Sequence, residues 1–111
     1  MKYLVKGEYI DPGALLPPAQ VVELIEGIVF PSLERLQEWN QKGKISGGLL
    51  TGERAGVFVI DAANNEELDR LLLELPMWGI LKWTVTPLTS WGDRMKSEHA
   101  ALDRLKASAT G

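Results

Sequence analysis

Lys6 and Glu8 stand two residues apart in an alternating stretch near the N-terminus, and Lys82, Thr84 and Thr86 repeat that spacing near the end of the folded pattern. Residues i and i+2 of a strand share a face, so each stretch puts its polar groups on one side. A carboxylate beside an ammonium shifts the pKa of both, and paired groups of this kind can be tuned for proton transfer. Burial of a charge requires a partner or a hydrogen bond; Lys6 with Glu8, or Lys82 with Glu8, would satisfy it. At exposed strand ends the same residues would be solvated and do no chemistry.

The other reactive side chains are few. The chain has 111 residues, one histidine and no cysteine, which excludes a disulfide framework, a thiolate metal site and a thiol nucleophile. A zinc site would rest on His99 and carboxylates, a poor ligand set, so neither metal nor cofactor is expected. His99 lies among charges in the C-terminal tail and reads as a solvated helix position. The formal net charge of -3 gives no pull toward nucleic acid. Gly47-Gly48 follow Ser46 and permit a close backbone approach or a bulge. They are not a phosphate loop, since no helix start or Gly-Lys-Ser/Thr run follows. Among the four tryptophans, Trp83 reads as core, Trp39 lies off the main stripe of its helix and suits an interface, and Trp78 and Trp91 flank the last strand. Trp78, Thr84 and Ser46 are the candidate substrate contacts.

Strand and helix signals alternate around these residues. Residues 3–10 read as a strand ending at the turn signal Asp11-Pro12-Gly13, and Pro17-Pro18 suit entry into a helix. From 19 to 42 apolar residues recur at helical spacing (Val22, Ile25, Val29, Leu33, Leu36), widened by Val21, Leu24 and Ile28. Pro31 should kink or split that helix, and Gly43 should stop it. Residues 45–51 and 57–62 form a hairpin, with Glu53-Arg54 as solvated charge at its tip. Asn64 and Glu67 resemble a capping box before Leu68, Leu71, Leu72 and Leu75, and Asp61 suits a structural hydrogen bond. A strand over 80–88 and a short, fraying tail helix over 90–106, packed on the domain or a partner, complete the chain. The order β-α-β-β-α-β is the ferredoxin-like arrangement, an α+β fold with an antiparallel sheet and both helices on one face. Residues 1–90 form the domain and 91–111 a helical extension.

Alternation then sorts the faces. Val57 and Val59 oppose Phe58 and Ile60, so the strand is apolar on both sides. Something must cover the face that the helices leave open, and a second copy of the chain would do so. A homodimer or higher homo-oligomer is therefore expected, sheet against sheet. The longest apolar runs fall far short of the ~20 residues of a membrane span, and charges interrupt the N-terminal stretch where a signal peptide would be apolar. A cytoplasmic protein without membrane or nucleic-acid partners is expected.

The stretch Val59-Ile60-Asp61-Ala62-Ala63-Asn64-Asn65-Glu66-Glu67-Leu68, the helix end Leu75-Pro76-Met77-Trp78 and the strand Trp83-Thr84-Val85-Thr86-Pro87-Leu88 resemble the muconolactone isomerase-like family in order and spacing. The resemblance spans roughly residues 1–90 and is strongest from 43 to 88; the first helix and the tail depart from the family's pattern. YciI-like proteins and cofactor-free monooxygenases share the layout more loosely. The resemblance implies a dimeric α+β barrel and a cofactor-free enzyme that moves a proton within an unsaturated lactone. With the strand-face reading above, Glu8 is the expected base, Lys6 or Lys82 its acid or electrostatic partner, and a small apolar carbonyl or aromatic compound the ligand. Two alternatives stay open: a non-catalytic binding or assembly module of the same fold, and a cofactor-free oxygenase with tryptophans packing an aromatic substrate.

Overall fold

The computed structural model describes residues 1–10 and 16–110. The turn expected at 11–13 lies outside them. Strand β1 (Lys2–Tyr9) leads to a long helix, α1, built of three successive stretches: α-helical Pro18–Leu24, a π-helical turn Ile25–Val29, and α-helical Phe30–Gln41. Then come β2 (Ile45–Leu49), β3 (Ala55–Asp61), α2 (Asn65–Leu73), a 3₁₀ turn (Pro76–Ile80), β4 (Leu81–Leu88) and α3 (Trp91–Thr110). The sheet is antiparallel in the order β2-β3-β1-β4, so β1 and β3 are central, as the ferredoxin-like order requires.

Local sequence explains most of these boundaries. Asn64 accepts a hydrogen bond from the Glu67 amide at 2.9 Å, and Glu67 reaches back to accept from the Ala63 amide at 2.7 Å. Two donors at the start of α2 are thereby satisfied. At the end of α1, Gly43 takes φ +75°, the left-handed conformation that glycine adopts without a Cβ penalty. The Lys44 amide donates to the Trp39 carbonyl at 2.9 Å and the Gly43 amide to Asn40 at 3.1 Å, a complete Schellman motif. Asp61 accepts from the Met1 amino group at 3.0 Å, the structural role expected of it.

Pro31 neither splits nor ends α1. Proline has no amide hydrogen to donate four residues back, and the helix widens just before it: the Phe30 amide bonds the Ile25 carbonyl, five residues away. A turn closed in this way holds about one residue more than an α-turn and rotates the following face by about 100°. After it, Ser32, Leu36 and Trp39 point into the core. Ser32 and Trp39 are buried and Leu36 packs against the cluster, so Trp39 is a core residue rather than an interface one. The Lys44 ammonium lies 4.9 Å from its ring centroid.

The core occupies one half of the helix-covered sheet face. Tyr3 and Val5 of β1, Phe58 and Ile60 of β3 and Ile45 of β2 meet Leu68, Leu71, Leu72 and Leu75 there. Tyr3 is 1% exposed, and its hydroxyl donates to Asn65 at 2.8 Å. Ser32 is fully buried; its hydroxyl donates to the Ile28 carbonyl at 2.8 Å and accepts from the Met77 amide at 2.9 Å. That one side chain ties α1 to the 3₁₀ turn. By contrast α3 has no buried residue, runs to Thr110, and stands away from the sheet of its own chain. It contributes to the 72 Å long dimension of the chain.

Candidate functional site

The other half of the same sheet face carries glycines at its centre, flanked by Tyr9, Leu49, Leu81 and Trp83. Along β1 the helix-facing positions run Tyr3, Val5, Gly7, Tyr9, and Gly7 pairs across with Gly56 of β3. Gly56 in turn pairs with Leu49, and Gly47 with Phe58, on β2. Between this part of the sheet and α1 lies a cavity of about 920 Å³. Val21, Leu24, Ile25, Val29 and Leu33 of α1 form its roof. None of the residues from Pro18 to Val29 is fully buried, so the apolar stripe read as a packed face lines a cavity instead. Trp83 and Leu81 of β4, with Met77 and Ile80 of the 3₁₀ turn, close one side. The Trp83 ring lies over Gly7, where a Cβ would come within 3.0 Å of it, and its indole N–H donates to the Trp78 carbonyl at 3.2 Å.

The cavity's polar groups are Tyr9, Gln37, Asn40, Glu53 and Arg54. Glu53 and Arg54 come from the β2–β3 hairpin and remain exposed. They read as solvated charge in sequence; their pairing with a glycine-bounded hairpin beside three glycine-bearing strands was the available signal. Gln37 and Asn40 had none, because their facing depends on the π-turn.

The polar cluster predicted on β1 and β4 exists, on the opposite face of the sheet. The register sets Lys6 opposite Thr84 and Glu8 opposite Lys82. Lys6 Nζ and Glu8 Oε1 are 2.9 Å apart, and both side chains are roughly two-fifths exposed in the single chain. The hydrogen bond from Lys6, then its charge, hold the Glu8 carboxyl below its ordinary value, with Lys82 adding to the effect; the same bond raises Lys6. Ser46 lies on this face too, paired with Val59 on the far strand and apart from the cluster. Trp78 is 40% exposed on the 3₁₀ turn and does not line the cavity, although its neighbour Met77 does. The structure thus brings Lys6, Glu8, Lys82 and Thr84 together, without Ser46 or Trp78, and separates them from the cavity by the thickness of the sheet. Leu4, 40% exposed, and the half-buried Val57 and Val59 share the open face with them. His99 lies on exposed α3 beside Met95, Glu98 and Leu102. No helix among the described residues is long and apolar enough to cross a membrane.

These features define an α+β protein of the ferredoxin-like type with a large, mostly aliphatic cavity under its first helix. The family model for muconolactone delta-isomerase matches residues 1–94, and the chain belongs to that family. The crystal structure of muconolactone isomerase at 3.3 Å resolution is similar in fold, with a TM-score of 0.63 and 23% sequence identity, covering 81% of this chain and 90% of that one. Against curated proteins the sequence finds no match.

Proposed function

We propose that this chain is a cofactor-free isomerase that holds an unsaturated lactone or related carbonyl compound in the cavity between sheet and α1 and moves a proton within it. The cavity is the observation that carries this reading: small-molecule sites are concave and mostly apolar, with a few polar groups that fix orientation. Family membership supports the reaction class. A proton shift beside a carbonyl needs a base to take the proton, a donor to return it and a positive or hydrogen-bonding group for the developing oxyanion. Of the described lining residues Glu53 is the carboxylate, Arg54 the fixed cation and Tyr9 the hydroxyl donor, and we assign those roles to them.

Glu8 is the competing base. Its ion pair with Lys6 lowers its pKa and so weakens it as a base, and it would reach a ligand only in a site closed over the open sheet face. We propose that a second copy of the chain covers that face, since Leu4, Val57 and Val59 form an apolar surface around one satisfied ion pair. The enzyme would then work as a homo-oligomer in the cytoplasm.

Deuterium wash-in to a γ-substituted butenolide, followed by proton NMR, tests the assignment. Glu53→Gln should slow exchange by about 100-fold or more while Glu8→Gln retains it. The reverse pattern would move the chemistry to the open face. Absence of exchange across a panel of lactones and enones would leave a binding module, not an enzyme.

A further inference from the structure

The size and lining of the cavity point to a substrate much larger than a single small lactone. At about 920 Å³ it lies near the top of the roughly 300–1,000 Å³ range of drug-sized ligand sites. By the about 30 Å³ that a water takes in the liquid, it would hold roughly 30 waters. A single five-membered ring with a short substituent would leave most of that volume wet. The walls are aliphatic from Val21 to Leu33, and water against them is unfavourable. The charged groups and Tyr9 sit at one end, the β2–β3 hairpin and the end of β1, while the neutral Gln37 and Asn40 lie toward the other, in the last turns of α1. A ligand that satisfies the charged end and the aliphatic walls has one polar head and a long apolar body. Gly7 and Gly56 line the floor, where the Trp83 ring and the Leu49 side chain pack close over them.

We propose that the substrate is an unsaturated carbonyl compound carrying a large apolar substituent, a long alkyl chain or fused rings, with its carbonyl head at Glu53 and Arg54 and its body under α1. The position of the head rests on the isomerase reading above; the size of the body does not.

A series of butenolides bearing γ-alkyl chains from methyl to decyl tests this, read by calorimetry and by intrinsic tryptophan fluorescence, to which Trp83 in the cavity wall contributes. Each buried methylene should tighten binding by about fourfold until the cavity is filled. Gly56→Val should then weaken the long-chain compound by roughly tenfold or more and the γ-methyl compound by less. A Cβ at Gly56 would meet the Leu49 side chain at 3.1 Å, a flexible neighbour that can shift. Gly56→Ala is the milder second variant, and circular dichroism verifies that each is folded. Affinity that is flat or falls along the series, with deuterium exchange intact on the methyl compound, would overturn the large substrate and leave the isomerase standing. Affinity that climbs along the series without exchange on any member would support the large ligand and overturn the isomerase. No binding by any member overturns the proposal as well, because the volume must then be filled by protein.

Discussion

Replacing Ser32 by alanine removes one oxygen from the most buried polar site in the described chain. The hydroxyl donates to the Ile28 carbonyl and accepts from the Met77 amide, so its loss leaves that amide without its acceptor. A buried donor stripped of its partner costs about 1–3 kcal/mol, and loss of the second bond adds about 1 kcal/mol or less. From the middle of the first range, a total of about 2–3 kcal/mol follows. With about 2.1 cal/mol/K of unfolding entropy per residue, a chain of 111 residues loses roughly 4 °C for each kcal/mol. Thermal unfolding by circular dichroism should therefore show Ser32→Ala melting about 8–12 °C below the parent. Ser97 is the control: its hydroxyl also donates to the carbonyl four residues back, Asp93 at 3.2 Å, but in an exposed helix where water replaces it. Ser97→Ala should shift the midpoint by no more than about 2 °C. The same substitution at Ser32 frees α1 from the 3₁₀ turn, so the Met77 amide should exchange faster and ligand affinity should fall below the melting range. If Ser32→Ala melted within about 2 °C of Ser97→Ala, the account of α1 as a roof bolted to the turn would be refuted.

Three further outcomes follow from the geometry. Gly47→Ala should destabilise by about 3 kcal/mol or more, because its Cβ would stand 2.1 Å from the Val57 carbonyl oxygen and 2.6 Å from the Phe58 Cα, both backbone. Gly48→Ala, with no atom within 4 Å of the added carbon, should be close to neutral; chemical denaturation compares the two. Glu8 has its pKa lowered in the fold by Lys6, so its contribution is present above its unfolded pKa and disappears as pH falls through the folded one. Melting of the parent and Glu8→Gln should differ at neutral pH and converge in acid, and a gap that widened in acid would contradict the ion pair. If a second copy covers the open sheet face as proposed, Val59→Lys, which places an unpaired charge there, should weaken self-association by about 100-fold or more. Sedimentation of a folded variant at the parent's molecular weight would exclude that face as the interface.

Much of the fold was legible because strands and helices advertise themselves by different periods. Alternation in β1 was enough to place Lys6 and Glu8 on one face and Val5 on the other, and the order of elements was enough for the sheet. The cavity was not legible. An apolar stripe such as Val21, Leu24, Ile25 and Val29 reports avoidance of water, and it looks the same whether a sheet touches it or stands a ligand's width away. Which side chains stand beneath it, Gly7 and Gly56 with Trp83 packed over Gly7, depends on register. Trp39 was misplaced for a related reason. A 3.6-residue period carried through Pro31 puts it off the stripe, whereas the π-turn rotates it inward with Ser32 and Leu36. Ser32 itself gives no sequence signal, since nothing in a lone serine announces a buried hydroxyl bridging two elements.

The π-turn also gives the helix an adjustable setting. Because Ile25–Val29 holds about one residue more than an α-turn, deletion of a single codon there, Gly27 for example, would restore a uniform helix without touching either half. The upstream half would then swing by about 100° relative to the anchored half that carries Ser32 and Trp39. A different row of side chains would hang over the glycine floor. If the cavity holds a ligand as proposed, the groups that meet it depend on the length of this segment as well as on its residues.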